Sequence, residues 1–180
     1  MDQRPRMHSL WGPITNLLNS RGGSLRSILF AVLIILIVPS VVRAEELSGK
    51  PQIVDGDTIK IDGQRIRLHG IDAPETKQTC WTGRYGKPFQ CGVRSTRALI
   101  EIIGRETITC RGEKRDRYKR LIAKCFIGRI DIGEQLVARG WAFAYRKYSR
   151  DYVRAEEAAR RLREGLWRHK FEMPWEWRRK

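Results

Sequence analysis

Between residues 52 and 71 apolar and polar side chains take turns, with Ile59, Ile61, Ile66 and Leu68 as the apolar set. A period of two marks a strand buried on one face. Asp62-Gly63 interrupts the pattern, and that dipeptide suits a two-residue type I′ turn. Residues 52–61 and 64–71 are therefore predicted to form a hairpin, with Thr58 opposite Arg67 and Asp57 opposite Leu68. A loop over 73–87 follows, containing "TCWTGRYGK". The period then lengthens: Ala98, Leu99, Ile102 and Ile103 share one side of a helix predicted over 88–103, with Gly104 as its stop. "ETITCRG" and "LIAKCFI" read as two further strands joined by the basic run "EKRDRYKR". Asp131 and Glu134 have capping-box spacing at the start of a short helix ending at Gly140. Ala155, Ala158, Ala159, Leu162 and Leu166 line a last helix, predicted over 151–165. About five short strands with helices between and after them suit an α+β fold, a small closed barrel with helical flanks.

One apolar run fits none of these elements. "ILFAVLIILIVPSVV", residues 28–42, carries no charge and is preceded by Arg21 and Arg26. As a helix it would rise roughly 22 Å, short of the roughly 30 Å hydrocarbon core. Val42-Arg43-Ala44 follows, with compact residues where a signal peptidase reads. Cleavage is predicted between Ala44 and Glu45, with an uncleaved membrane anchor as the alternative. The expected organisation is a signal segment over 1–44, a folded domain over 45–170 and a basic, Trp-rich tail over 171–180. The expected location is secreted or periplasmic, or membrane-anchored if the segment stays.

Charge narrows the partners. Lys and Arg number 36 against 20 Asp and Glu, a formal net charge of +16. An excess of this size favours an anionic partner, nucleic acid or an acidic membrane surface. All four cysteines, Cys80, Cys91, Cys110 and Cys125, follow the apolar run. An even count in an exported chain favours disulfides, and zinc is disfavoured because no C-x-x-C pair exists. The preferred pairing is Cys80–Cys91, closing a short loop, with Cys110–Cys125 linking two adjacent strands. Four free buried thiols are the alternative should the chain not be exported.

The acids then stand out against this basic background. "VDGDTIKIDGQRIRLHGIDAPE", residues 54–75, gathers Asp55, Asp57, Asp72 and Glu75 around Arg65 and Arg67. A hard divalent cation such as calcium takes several oxygen ligands, carboxylates among them, and the hairpin brings Asp57 and Asp72 within reach of one ion. Simple alternation puts Asp57 and Arg67 on opposite faces, so a bulge at Gly56 is expected to bring them together. A polar turn without a metal is the other reading, and EF-hand spacing is absent.

"DGDT", "RLHGIDAPE" and "DRYKRLIAKCF", in that order, resemble the staphylococcal nuclease-like (thermonuclease) family from about Ile53 to Trp167. The resemblance implies an OB-fold five-stranded β-barrel with about three helices. It implies calcium-dependent hydrolysis of DNA and RNA phosphodiesters that leaves 3′-phosphate ends, by a protein expected to be a monomer. Asp57, Asp72 and the carbonyl of Ala73 match the calcium ligands. Glu75 matches the general base, and Arg67 and Arg120 the arginines that hold the scissile phosphate. Asp55, Thr58 and Asp116 stand behind these groups, while Tyr118 and Tyr145 are candidates to stack on bases. The chain departs from the family at Ala73, at the cysteines and Trp81 of the loop, and at Lys119, where glycine is usual. His69 is expected to be a bystander and the terminal "WRRK" a solvated basic tail. The alternative function is an inactive nucleic-acid-binding module on the same barrel.

Overall fold

A computed structural model describes residues 44–83 and 86–180. The apolar segment 28–42 and all of the predicted cleavage region before Ala44 lie outside the described residues. Among those described, no helix is long and apolar enough to cross a membrane.

The predicted hairpin forms from β3 (Thr58–Ile61) and β4 (Gln64–Leu68), with Thr58 opposite Arg67 as the turn requires. Asp62 and Gly63 have φ of 48° and 79°, the two positive angles of a type I′ turn. The strands are shorter than predicted because residues 54–57 fold into a tight turn after β2 (Gln52–Ile53). Isolated from them, β5 (Ile71–Asp72) pairs with a later strand. The main sheet adds β1 (Glu45–Gly49), β8 (Ile108–Arg115) and β9 (Leu121–Ile127), in the order β1-β8-β9-β4-β3-β2. The β4–β9 pair is parallel and its neighbours are antiparallel. A register shift between Gly112 and Lys114 lets β8 bend. This is the curled OB-type sheet of an α+β fold, with its buried face filled by Ile59, Ile61, Ile66, Leu68, Ile108 and Leu121. Each such side chain stabilises the fold by roughly 1.5–3 kcal/mol relative to exposure.

A second hairpin pairs β6 (Thr79–Trp81), inside the predicted loop 73–87, with β7 (Pro88–Gln90), which occupies the first three positions of the predicted helix. Helix α1 (Cys91–Ile103) consequently starts three residues later than its periodicity suggests. Its buried Ala98, Leu99 and Ile103 close one side of the core, and Gly104 ends it at φ 58°. Cys80–Cys91 and Cys110–Cys125 are both disulfide-bonded. The second joins residues directly opposite in the β8–β9 ladder.

After the short β10 (Ile130–Asp131), Asp131 caps α2 (Ile132–Ala138) by accepting from the Glu134 N–H at 3.2 Å. β11 (Phe143–Ala144) pairs with β5 and aligns Phe143 with Asp72. The buried Glu156 fixes that pair from α3 (Val153–Leu162), its Oε1 accepting from the Ala144 N–H at 2.9 Å. Helix α3 is shorter than the predicted 151–165, and Leu162 is exposed. Leu166 is buried instead from a 3-10 turn, Gly165–Arg168. The reason is a meeting of glycine backbones: a Cβ on Gly165 would lie 2.4 Å from the Arg139 carbonyl oxygen and 2.5 Å from that of Gly140. The chain must turn there.

The C-terminal residues fold back, and of these only the terminal "WRRK" was expected to stand in solvent. Lys170 and Trp81 exchange backbone hydrogen bonds of 2.9 Å, and α4 (Pro174–Trp177) follows. Phe171, Met173 and Trp175 pack on a satellite core of Cys80, Cys91, Phe143 and Leu166.

Candidate active site

The turn before β3 sets the first carboxylate. Val54 and Asp55 both donate their N–H groups to the Thr58 carbonyl, at 2.9 and 3.2 Å, and Asp55 Oδ1 accepts from the Asp57 N–H at 3.0 Å. Gly56 sits where a Cβ would lie 2.4 Å from Ser95 Oγ and 2.8 Å from Ala73 Cβ. A tight turn pressed against α1, rather than the expected bulge, therefore aims Asp57 at Arg67.

Arg67 then bridges two acids. Its Nη1 donates to Asp57 Oδ1 at 2.6 Å and its Nη2 to Asp72 Oδ1 at 2.8 Å. Asp57 is further held by Thr58 Oγ1 at 3.0 Å and by the Ala73 N–H at 3.2 Å. The Asp72 side chain is 0% exposed. Burial pushes its carboxyl above the usual range; the Arg178 hydrogen bond opposes this, and the Asp57 charge adds to it. Burial, then the Asp57 charge, raises Asp55 as well. Burial works against a charged Arg67, but Asp57 and Asp72 outweigh it and hold the guanidinium more firmly protonated.

Arg120 is fixed from the other side. Lys119 takes φ 62°, so a lysine adopts the left-handed turn for which glycine is usual. Asp116 Oδ1 accepts the Tyr118 and Arg120 N–H groups at 2.9 and 3.0 Å, and Asp116 Oδ2 accepts Arg120 Nε at 2.8 Å. Arg120 Nη1 donates to Thr58 Oγ1 at 3.3 Å, which links it to the Asp57 cluster. Burial opposes ionisation of Asp116, yet the Arg120 hydrogen bonds outweigh it and hold the carboxyl below its usual range.

Glu75 is the more open acid, its side chain 38% exposed, with its N–H donating to Gln78 Oε1 at 3.2 Å. It faces a cleft of about 1190 Å³ that Asp57, Arg67, Tyr118, Arg120 and Tyr145 also line. Arg111, Lys114, Arg117, Lys124, Lys147 and Arg179 give that cleft a basic rim. Tyr118 is exposed, with the Arg117 guanidinium 4.8 Å from its ring. Tyr145 is already stacked: Trp175 lies parallel to it, ring centres 5.5 Å apart and planes within 5°. His69 lies 3.8 Å from Asp151 and also borders the cleft.

Among the described residues no group of three or more His, Cys, Asp or Glu side chains forms a metal cage. Two carboxylates and a neighbouring backbone carbonyl nevertheless fit a hard divalent cation, which completes its shell with water. A buried carboxyl pushed up beside a second acid is the kind of imbalance that a bound cation reverses.

Sequence reasoning missed Arg178. Its Nη1 donates to Glu75 Oε1 at 2.7 Å and to Asp72 Oδ1 at 3.2 Å, and its Nη2 to Asp72 Oδ2 at 2.7 Å. The only signal was a basic tail, and the packing that carries it to the site has no local period.

Comparisons with known proteins place the chain in a family. A family model described as "Staphylococcal nuclease homologue" matches residues 65–169. An uncharacterized endonuclease of Escherichia coli O157:H7 is 32% identical over 135 residues, covering 71% of this chain and 81% of its own. The succinoglycan biosynthesis protein ExoI of Rhizobium meliloti (strain 1021) is 34% identical over 128 residues, covering 69% of this chain and 66% of its own. A probable staphylococcal-like nuclease, CAN4, of Oryza sativa subsp. japonica is 32% identical over 141 residues, 77% of this chain but 26% of its own. The chain thus spans about two thirds of the Rhizobium protein and about a quarter of the rice protein. With more than half its length matched and its acids and arginines converging on one basic cleft, the chain belongs to the staphylococcal nuclease homologue family.

Proposed function

We propose that this protein is a calcium-dependent nuclease that hydrolyses DNA and RNA phosphodiester bonds and leaves 3′-phosphate ends. One observation carries the reading: Arg67 ties Asp57 to Asp72 while Arg120 closes on Thr58 from the opposite side. Arg67 thereby joins two buried carboxylates, and Asp57, Arg67 and Arg120 line one basic cleft. Nucleic acid is the polyanion such a cleft suits, and the endonuclease name of the Escherichia coli relative supports the same class.

The roles follow from chemistry. A planar guanidinium donates two hydrogen bonds to phosphate oxygens at once, so Arg67 and Arg120 orient the diester and meet its growing negative charge. Glu75, open to the cleft, takes a proton from water as the water oxygen bonds to phosphorus. The P–O5′ bond breaks, and solvent protonates the departing 5′-oxygen. Asp57, Asp72 and the Ala73 carbonyl would hold calcium, which supplies fixed positive charge beside the phosphate. Asp55, Thr58 and Asp116 keep these groups aimed, and Tyr118 offers an exposed face to a base.

The two disulfides suit an oxidising compartment and support export, with residues 1–44 as the signal and the location secreted or periplasmic. N-terminal sequencing of the cell-made protein should begin at Glu45.

Digestion of plasmid and RNA by the purified protein, with calcium or a chelator, tests the activity. Cleavage should require calcium, and Glu75→Ala and Arg67→Ala should each lose about 10²–10⁴-fold in rate. Folded protein that binds nucleic acid but never cuts it would make the domain a binding module instead.

A further inference from the structure

The C-terminal segment is fastened before it reaches the site. Lys170 pairs with Trp81, Gln78 Nε2 donates to the Glu172 carbonyl at 2.7 Å, and Pro174 is buried. Trp175 then lies on Tyr145. Only past these anchors does Arg178 turn its guanidinium onto Asp72 and Glu75.

The contact is placed where a cation would be held. Asp72 is fully buried and has no solvent to share its charge, and Arg178 hydrogen-bonds both of its oxygens. A divalent ion on Asp72 needs lone pairs that these donors now occupy, and it would stand against a like charge. Arg67 is the less movable of the two arginines. It extends from a central strand, is 19% exposed, and also reaches the Ile71 carbonyl. Arg178 is 35% exposed, borders the open cleft and has Glu75 as a second partner.

Resting on the cation-dependent reading above, we infer that Arg178 is a positioning residue that acts as a built-in counter-ion. It holds Asp72 and Glu75 while no metal is present, yields Asp72 to the divalent cation, and keeps Glu75 aimed into the cleft. The exchange is a movement of one side chain, because the segment before it stays docked through Trp175.

Calorimetric calcium titration of the purified protein, without nucleic acid, tests this. Arg178→Ala should bind calcium about tenfold more tightly than wild type, the worth of removing charge-assisted competitors. Arg178→Lys should fall between the two. Arg179→Ala removes an equal charge from the same cleft and should change affinity by less than about twofold, since exposed charges are screened. Thermal melting should show Arg178→Ala weakened in chelator and restored by saturating calcium. Wild-type affinity in Arg178→Ala, or weaker binding, overturns the inference while leaving the cation site in place. No calcium binding by wild type or variant overturns the cation-dependent reading, and this inference with it.

Discussion

Lys119 holds a left-handed backbone at φ 62°, where an L-residue with a side chain costs roughly 1–2 kcal/mol over glycine. Glycine in turn loses more freedom on folding. Lys119→Gly should therefore stabilise the protein by about 0.5–1 kcal/mol in urea unfolding and leave cleavage unchanged. The strain is tolerated because Asp116 accepts hydrogen bonds on both sides of Lys119, from the N–H groups of Tyr118 and Arg120. At this scale much was legible. Asp62-Gly63 announced its own turn, and the turn fixed Thr58 opposite Arg67. Gly56 was recognised as special for the wrong reason. Its closeness to Ser95 and Ala73 is a contact between distant segments, which no local pattern records.

Among elements, the hairpin of β6 and β7 carries the clearest consequence. Its disulfide places Cys80 and Cys91 in the small core that also receives Phe143, Leu166 and the C-terminal aromatics. Replacing both cysteines with serine should cost roughly 3 kcal/mol of stability, given the short loop they close. The same change should free the C-terminal segment, seen as faster amide exchange at Lys170 and Trp81, whose mutual hydrogen bonds would open first. The Cys110→Ser, Cys125→Ser pair should lose comparable stability without that local exchange. Three-residue strands are too short to show a period of two, so β6 read as loop, β7 read as the first turn of a helix, and α1 began three residues too early. The longer helices and strands were legible because each buries one face against a single core.

At the scale of the whole molecule, His169 couples stability to pH near neutrality. His169 packs edge-on to Phe89 with ring centres 5.0 Å apart. Burial, then the charges of Arg94 and Arg168, pushes its imidazole below 6.5. The unfolded chain therefore takes up a proton first, and stability rises with pH through this window. The contribution of His169 is present in full above pH 6.5 and is lost as pH falls from there through the folded value. Melting temperatures measured across that range should decline on acidification, and His169→Gln should flatten the decline. Global charge was legible from the outset, because a count of +16 needs no structure. The docking of the last ten residues was not, since it depends on partners some ninety residues away, Gln78 with Glu172 among them.

The bond between Cys110 and Cys125 also decides what a protease can do to this protein. "EKRDRYKR" lies wholly within the ring that this bond closes, and it offers a trypsin-like enzyme several exposed basic residues. A single cut there separates two peptides by sequence but not by covalent linkage. The fragments remain tied at directly facing positions of β8 and β9, and they migrate as one band until a reductant is added.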